Sequence, residues 1–503
     1  MTHPSPPAQV PPVPPTGCPA HSTTPREHPA LDEAAAEPAF VRLFGPEFSA
    51  DPQSTYRLLR SMGPIAPVEI SEGVYGRITT TYAAALDLLR DNPNRFAKNP
   101  SHWRALAAGE VPADSPALMM MMERDNALWK DGPEHTRLRT AITDSLARID
   151  QHALRALVKR TADRLIDAVQ EHGEADLMAQ YAAPLPMAVL FDLFGCPPPI
   201  GERIVASLVQ LFDASQDAAA ANVELERACG ELTALKRATP GADVTTWLIE
   251  HPAELTDAEM VQQILLVIGA GTEPSTNLIG NALTLMLADD RFAGSVVDGA
   301  QSVGGALDHV LWTDPPMANY SPLYPIQDTV YEGIWLAAGV PVLISFAAAN
   351  TDPALGLGEG HRAGNVAHLA FSAGAHGCPA PGTARVIAEI AVERVLDRLP
   401  GLTLAGPAEE LVRRPGTFAS GWTALPVVFP PASTTAASSA TFAISPVAPS
   451  VASSGVSWTR SNPPDAPTVS TPPATTSTVK PPPSVPRGPR RVWNFLGTWW
   501  RGR

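Results

Sequence analysis

One cysteine is set apart by its neighbours. Cys378 lies in Phe371-Ser-Ala-Gly-Ala-His-Gly-Cys-Pro-Ala-Pro-Gly-Thr-Ala-Arg385, a glycine-broken loop that runs straight into the helical stretch VIAEIAVERVLDRL. A sulfur at the start of a helix sits near the positive end of its dipole, which favours the thiolate, the form that ligates metals. An isolated cysteine is more often a small buried hydrophobe, so the loop rather than the residue carries the signal. Upstream, Asp131-Gly-Pro-Glu-His-Thr-Arg-Leu-Arg139 sets His135 and Arg139 four residues apart, on one helix face. Alone, that stretch reads as a solvated basic face. A third stretch opens on a capping-box pattern, Thr256-Asp-Ala-Glu259, and continues MVQQILLVIGAGTEPSTNLIGNALTLMLA. It predicts a helix of about 30 residues, ~45 Å long, apolar around its middle and therefore crossing the interior. A lone Glu273 in such a helix is rare enough to point to a function, because a carboxylate there has to be compensated.

The elements that must position these residues are mostly helical. STYRLLRSMG, YAAALDLLRDNP, HTRLRTAITDSLARI, ALRALVKRTADRLIDAV, LPMAVLFDLFG and ANVELERACGELTAL carry apolar residues at helical spacing. PIAPVEI and VYGRIT read as short extended pieces, TVYEGIWLAAGVPVLISF as a hairpin, and LTLAG with ALPVVF as a further extended pair. The fold class is α+β, mainly α, a large helical layer beside small β-sheets. Of 54 prolines, 11 fall in residues 1–40 and 14 in residues 430–490, so the excess marks the ends. We expect a disordered Pro/Ala-rich arm at 1–40, a folded domain at 41–430, a disordered Pro/Ser/Thr-rich linker at 431–486 and a basic Trp-rich amphipathic segment at 487–503.

Phe-x-x-Gly-x-His-x-Cys, ending in Ala-Arg, resembles the haem-binding loop of the cytochromes P450, a resemblance that covers about residues 40 to 430. It implies haem b with Cys378 as the axial thiolate, held between this loop and the long helix, with Phe371 and Gly374 shaping the loop. Asp131–Arg139 resembles the family's C-helix, which implies that His135 and Arg139, with His376, meet the haem propionates. Ala270-Gly-Thr-Glu-Pro-Ser resembles the family's Ala-Gly-x-acid-Thr-Thr/Ser, which implies that Ala270 and Gly271 border the haem, that Gly271 leaves room for dioxygen and that Glu273 relays protons. Asn350-Thr-Asp-Pro353 and Arg362-x-x-Asn-x-x-His-Leu-Ala-Phe371 resemble the segment after the second sheet and the meander.

Four departures bear on mechanism. The family's Glu-x-x-Arg pair reads His309 and Trp312 here, as in a minority group of bacterial members, and Arg362 loses its expected partner; Asp308 is offset by one residue. Pro274 replaces a threonine, removes an N–H and should kink the helix, leaving Ser275 and Thr276 to supply the hydroxyl. Pro379 and Pro381 delete amides near the sulfur and leave Ala380 as donor, which predicts a low-potential haem. Pro316-Met-Ala-Asn-Tyr-Ser-Pro-Leu-Tyr324 lacks the arginine with which the family often holds a propionate.

The resemblance implies a monooxygenase that inserts one oxygen atom of O2 into an apolar small-molecule substrate, with electrons from a ferredoxin-type donor. Two other readings stand beside it: a haem-binding regulatory partner in a membrane-associated complex, and a peroxide-driven oxidase. A net charge of −15 argues against nucleic acid as a partner. Four cysteines without a CxxC pair, no signal-like N-terminus and no apolar run of about 18 residues point to a cytoplasmic protein. Residues 487–503 carry five arginines and no acid among tryptophans, a segment suited to the inner membrane face or to a protein partner.

Overall fold

The computed structural model describes residues 40–212, 218–289, 302–358 and 361–432. Apart from Phe40, Pro431 and Ala432, the expected arm, linker and basic segment lie outside the described residues. Helices dominate, as the periodicity requires. Those that position the site are α1 (Gly132–Ala147), α2 (Gln151–Asp167), α3 (Pro184–Leu193), α4 (Asp257–Ala288), α5 (Val303–Thr313) and α6 (Pro381–Arg398).

The longest, α4, has 32 residues and opens on a complete capping box. The Glu259 amide donates to Thr256 Oγ1 at 3.2 Å and the Thr256 amide to Glu259 Oε2 at 2.9 Å, which satisfies two end donors that a helix otherwise leaves unpaired. Pro274 lies inside it, yet α4 remains one element from Asp257 to Ala288. The local consequence is one missing rung: the Ala270 carbonyl has no amide at position 274 to accept from. Apolar side chains of α2, α3, α5 and α6 close around α4 in one helical core, including Leu165, Phe191, Ile264, Leu283, Leu311 and Val392.

Beside it lies a six-stranded sheet. Its strands are β1 (Val41–Arg42), β2 (Ile65–Ser71), β3 (Val74–Thr79), β4 (Phe96–Ala97), β5 (Asn319–Pro325) and β6 (Val342–Ser345), in the order β1-β2-β3-β6-β5-β4. The two expected extended pieces form the β2–β3 hairpin, Ile65 opposite Thr79. Alternation decides the faces: Leu343 joins one small core, while Val342 and Ile344 join another on the opposite side. The expected hairpin forms at Thr329–Tyr331 and Ile334–Leu336, but the end of that stretch becomes β6 and pairs in parallel with β3, Arg77 opposite Val342. Thr403–Leu404 pairs with Pro426–Val428 as expected, and Glu174–Asp176 adds a third strand.

Candidate cofactor-binding site

The loop before α6 is built from its own backbone. The Ser372 amide donates to the Leu369 carbonyl at 2.7 Å, the Gly377 amide to Gly374 at 3.1 Å and the Cys378 amide to Phe371 at 2.8 Å. Gly374 has φ +69°, and a Cβ there would lie 2.3 Å from the Leu89 carbonyl oxygen, so only glycine fits. Phe371 is half-buried and packs on the helical core. Cys378 Sγ accepts the Ala380 N–H at 3.4 Å, the donor left between Pro379 and Pro381. Solvent reaches Cys378 while protein atoms crowd its sulfur. Burial pushes this thiol up, and the Ala380 amide and Arg139 offset only part of that rise. Cys196 and Cys229 are buried hydrophobes, with the Cys196 thiol pushed up to about 12 by burial. Among the described residues no three His, Cys, Asp or Glu side chains are grouped to hold a bare metal ion.

Next to the loop, α1 supplies a stack of donors. The His135 and His376 rings lie 4.0 Å apart, and the Nε2 atoms of both are buried without a hydrogen-bond partner. His376 Nε2 is 3.9 Å from Asp131 Oδ1, too far for a hydrogen bond and close enough for attraction. Burial first, then His376 and Arg139, hold His135 down at about 4. Burial alone would raise Asp131, but His376, Asn92 and the amides of Asn99 and Lys98 outweigh it and keep its carboxyl at about 2. The Arg139 guanidinium donates to the Gly377 carbonyl and its Nε to Thr143 Oγ1 at 3.2 Å, tying α1 to the cysteine loop.

The third stretch lies on α4. Gly269 and Ala270 are exposed in the middle of a helix whose C-terminal half is buried nearly all round, so an apolar face is open where the sequence expected the cofactor. A Cβ at Gly271 would meet the end of the Leu190 side chain of α3 at 2.9 Å, so α4 lies close against α3 at this point. Glu273 Oε1 accepts from Arg414 Nη1 at 2.6 Å and from Asn277 Nδ2 at 3.2 Å, and the Glu273–Arg414 pair is half-exposed. Ser275 and Thr276 are buried, each 4% exposed. A cavity of about 920 Å3 lies on another side of α4, bordered by Tyr56, Asn281, Thr284, His309 and Asp314, and none of the cysteine-loop residues lines it.

The segment leading into the loop is held without a Glu-x-x-Arg pair. Trp312 Nε1 donates to the Asn365 carbonyl at 2.8 Å. Asp308, 3% exposed, accepts the Gly364 amide at 2.7 Å and pairs with Arg385 of α6. Arg385 also donates to the Gly304 carbonyl at 3.1 Å, so α5, α6 and the loop are cross-tied. The Leu369 amide donates to Asn350 Oδ1 at 2.7 Å, which gives Asn350 a positioning role. Arg362 Nε is buried without a hydrogen-bond partner, and Asp308, the acid one residue off the expected position, goes to Arg385 instead. Asp308, Arg385, Arg414 and Lys98 had no assigned role in the sequence reading, because each meets its partner only through the fold.

A haem needs a ligand for iron, donors for two carboxylates and an apolar slot. The residues present fit: an accessible sulfur, two buried imidazole nitrogens without partners, Arg139 beside them and the open face at Ala270. No helix among the described residues is long and apolar enough to cross a membrane.

No family model matches the chain. It is 30% identical to the cytochrome P450 monooxygenase PikC of Streptomyces venezuelae over 76% of this chain and 92% of that one. It is 30% identical to the steroid C26-monooxygenase of Mycobacterium tuberculosis over 76% and 95%, and 28% to the 2-hydroxy-5-methyl-1-naphthoate 7-hydroxylase of Streptomyces carzinostaticus over 75% and 95%. In three dimensions it is similar to CYP154C4 of Streptomyces sp. ATCC 11861, TM-score 0.71 at 28% identity over 77% of this chain and 98% of that one. CYP154A1 of Streptomyces coelicolor gives 0.66 at 29% identity over 78% and 100%. The chain therefore belongs to the cytochrome P450 family, with that family's fold, and is a haem-thiolate monooxygenase of small molecules that takes its electrons from a redox partner.

Proposed function

We propose that Cys378 would ligate the haem iron as a thiolate, that His135, Arg139 and His376 would hold the haem carboxylates, and that the chain hydroxylates an apolar small molecule with electrons from a ferredoxin-type donor. The haem, when bound, supplies reductive activation of O2 and insertion of one oxygen atom. Phe371 and the Gly374 turn keep the cysteine loop in shape, while the Ala380 N–H steadies negative charge on the sulfur. His135 Nε2 and His376 Nε2 offer hydrogen bonds to carboxylates, and Arg139 adds charge while fixing the loop to α1. Gly269 and Ala270, with half-buried Leu266 and Val267 one turn before them, present an apolar wall that excludes water and suits an apolar substrate. Glu273 holds a proton-accepting oxygen between Arg414 and Asn277, one turn from Ala270, and the hydroxyls of Ser275 and Thr276 stand in for the one absent at Pro274.

The observation that carries this reading is the grouping of two partnerless buried imidazoles and Arg139 against the cysteine loop: the His135 and His376 rings lie 4.0 Å apart, and Arg139 donates to the Gly377 carbonyl. The relatives are named as hydroxylases and monooxygenases, which supports oxygen-dependent turnover over a regulatory or peroxide-driven role. The domain limits 41–430 and docking of residues 487–503 on an anionic membrane face are part of the same proposal; truncation at Pro486 should abolish vesicle binding. The decisive measurement for the site is the reduced, CO-bound absorption spectrum. Wild type should show the red-shifted thiolate band and Cys378→Ala should lack it, whereas an unchanged band in the variant refutes the ligand assignment.

A further inference from the structure

The cavity of about 920 Å3 beside the C-terminal half of α4 has no part in the cofactor site. Its wall joins elements far apart in sequence: the helix Pro52–Ser61, the last turns of α4, the end of α5 and the segment 408–422. Side-chain bonds tie these elements together. Gln53 Nε2 donates to the Thr313 carbonyl at 3.3 Å, and Asn281 Nδ2 donates to the Asp314 and Ser420 carbonyls, both at 3.2 Å. Arg413 Nη1 donates to Asp314 Oδ2 at 2.6 Å and to Ser420 Oγ at 2.9 Å, and its guanidinium lies 4.1 Å from the Trp422 ring centroid. The wall is thus formed by the protein alone, as the walls of ligand pockets usually are. None of His135, Arg139, Ala270 and Cys378 borders the cavity, and Asn281 and Thr284 lie about 16 and 21 Å further along α4 than Ala270, at 1.5 Å per residue.

The volume is in the range of pockets that take drug-sized molecules. Phe48, Tyr56, Leu285, Val310 and Trp422 give the wall an apolar body. The arginines of the wall are matched within the protein, Arg413 by Asp314 and Arg414 by Glu273, so a neutral occupant fits better than an anion. Several polar groups of the wall are not matched. Ser49 Oγ, Thr284 Oγ1, Asn281 Oδ1 and Trp422 Nε1 belong to residues that border the cavity, and none of these atoms has a hydrogen-bond partner in the protein. Ser49, Asn281 and Thr284 are buried, where an unmatched polar atom is unusual. Rotation about χ1 alone moves the Ser49 and Thr284 hydroxyls between staggered positions beside the space they border. A hydroxyl both donates and accepts, an amide oxygen accepts and an indole N–H donates, so the set matches a molecule with hydroxyl or carbonyl oxygens.

We infer that this cavity is a second small-molecule site, separate from the cofactor cleft, for a neutral and mainly apolar molecule that carries hydroxyl or carbonyl oxygens. Its rings or chains lie against the aromatic and aliphatic side chains of the wall. Its oxygens meet the polar groups of Ser49, Asn281, Thr284 and Trp422.

The test uses 4-(hydroxymethyl)benzophenone, a neutral two-ring probe with one carbonyl and one hydroxyl that bonds covalently to nearby C–H groups on illumination. The full-length holoprotein is labelled over a range of probe concentrations, and proteolysis with mass spectrometry locates the attachment points. Labelling at residues 281–288 or 413–422 should saturate and should be displaced by unlabelled benzhydrol. Ala288→Phe and Ala408→Phe each add a ring to the wall and should cut labelling there roughly tenfold or more, the effect of excluding one apolar ring, with the CO-bound spectrum unchanged. The anionic analogue 4-benzoylbenzoate should label the same residues more weakly. Labelling confined to the cofactor cleft, or labelling at 281–288 and 413–422 that neither saturates nor yields to benzhydrol, overturns the inference and leaves the cavity to water. Equal labelling of wild type and both filled variants overturns it too, and equal labelling by the anion refutes the neutral class. Should the filled variants not fold, saturation and benzhydrol displacement in wild type decide.

Discussion

Asp308→Asn and Asp308→Ala separate two contacts made by one carboxylate. Asp308 accepts the Gly364 amide at 2.7 Å and also pairs with Arg385, whose side chain is 30% exposed. Asparagine keeps an acceptor for the amide and loses only the charge opposite Arg385. A charge-assisted hydrogen bond contributes ~1.5–3 kcal/mol, and water access to Arg385 reduces that, so Asp308→Asn should destabilise by about 1–2 kcal/mol. Alanine also leaves the Gly364 amide without its partner, for a total of about 2–4 kcal/mol. Arg385→Gln should cost about as much as Asp308→Asn, and the double variant should cost little more than either single one, because the same pair is lost.

The consequence for the cofactor follows from connectivity. Gly364 and Asn365 hang from Asp308 and Trp312, and the chain from there runs into Phe371 and Cys378. Loosening Asp308 should therefore lower the fraction of reduced, CO-bound protein in the thiolate form at denaturant concentrations too low to unfold the molecule. Urea midpoints and that spectrum, read on the same samples, are the assay. Strictly additive costs in the double variant, or an Asp308→Asn protein indistinguishable from wild type, would show that this pair does not replace the family's Glu-x-x-Arg tie.

Gly374→Ala places a Cβ against the Leu89 carbonyl at φ +69°; the left-handed conformation and the forced backbone shift together cost at least ~2 kcal/mol and should abolish the thiolate band, while Gly382→Ala, where a Cβ meets nothing, keeps it. His135 is held near 4 against 6.5 in the unfolded chain, so the unfolded state binds more protons between those values, and apoprotein stability should fall by about 3 kcal/mol as pH drops from 6.5 to 4. His135→Gln should flatten that slope in thermal melts at stepped pH, and an unaltered slope assigns it elsewhere. Redox titration should give a low haem potential, raised by a few tens of millivolts when Pro379→Ala or Pro381→Ala returns an amide to the sulfur; no change in either variant removes sulfur hydrogen bonding as the cause.

What was legible in the sequence is what the chain places locally. The capping box at Thr256 and Glu259, the length of α4 and the spacing from Phe371 to Cys378 each depend on residues within a turn or two, so the pattern and the geometry are the same information. β5 escaped notice because Pro322 and Pro325 argue against a strand, and its partners are distant stretches of chain. Arg385 reaches Asp308 across 77 positions, Arg414 reaches Glu273 across 141 and Lys98 reaches Ser321 across 223. Lys98 follows Phe96-Ala97 and reads as an ordinary solvated lysine until strand pairing buries it.

These long-range contacts share a logic. A position that holds a cofactor needs a charge or a donor at a point in space, and the fold can deliver it from any element passing nearby. Where the Glu-x-x-Arg acid is gone, the acid one residue earlier on α5 recruits a cation from α6, and the indole at the arginine's place takes a loop carbonyl. The cation comes from an element already packed against the vacated one, so little backbone has to move. The contrast is Pro274, where the hydroxyls proposed as substitutes, Ser275 and Thr276, lie on the same helix. Charge can be exchanged between neighbouring elements because it acts over several ångströms, whereas a hydroxyl must sit within hydrogen-bond reach of its target. Oxygen activation should for that reason be more sensitive to the departures of this chain than haem binding is: Ser275→Ala and Thr276→Ala together should leave the thiolate band intact while diverting electrons from product to peroxide, and a double variant as tightly coupled as wild type would place the proton source elsewhere.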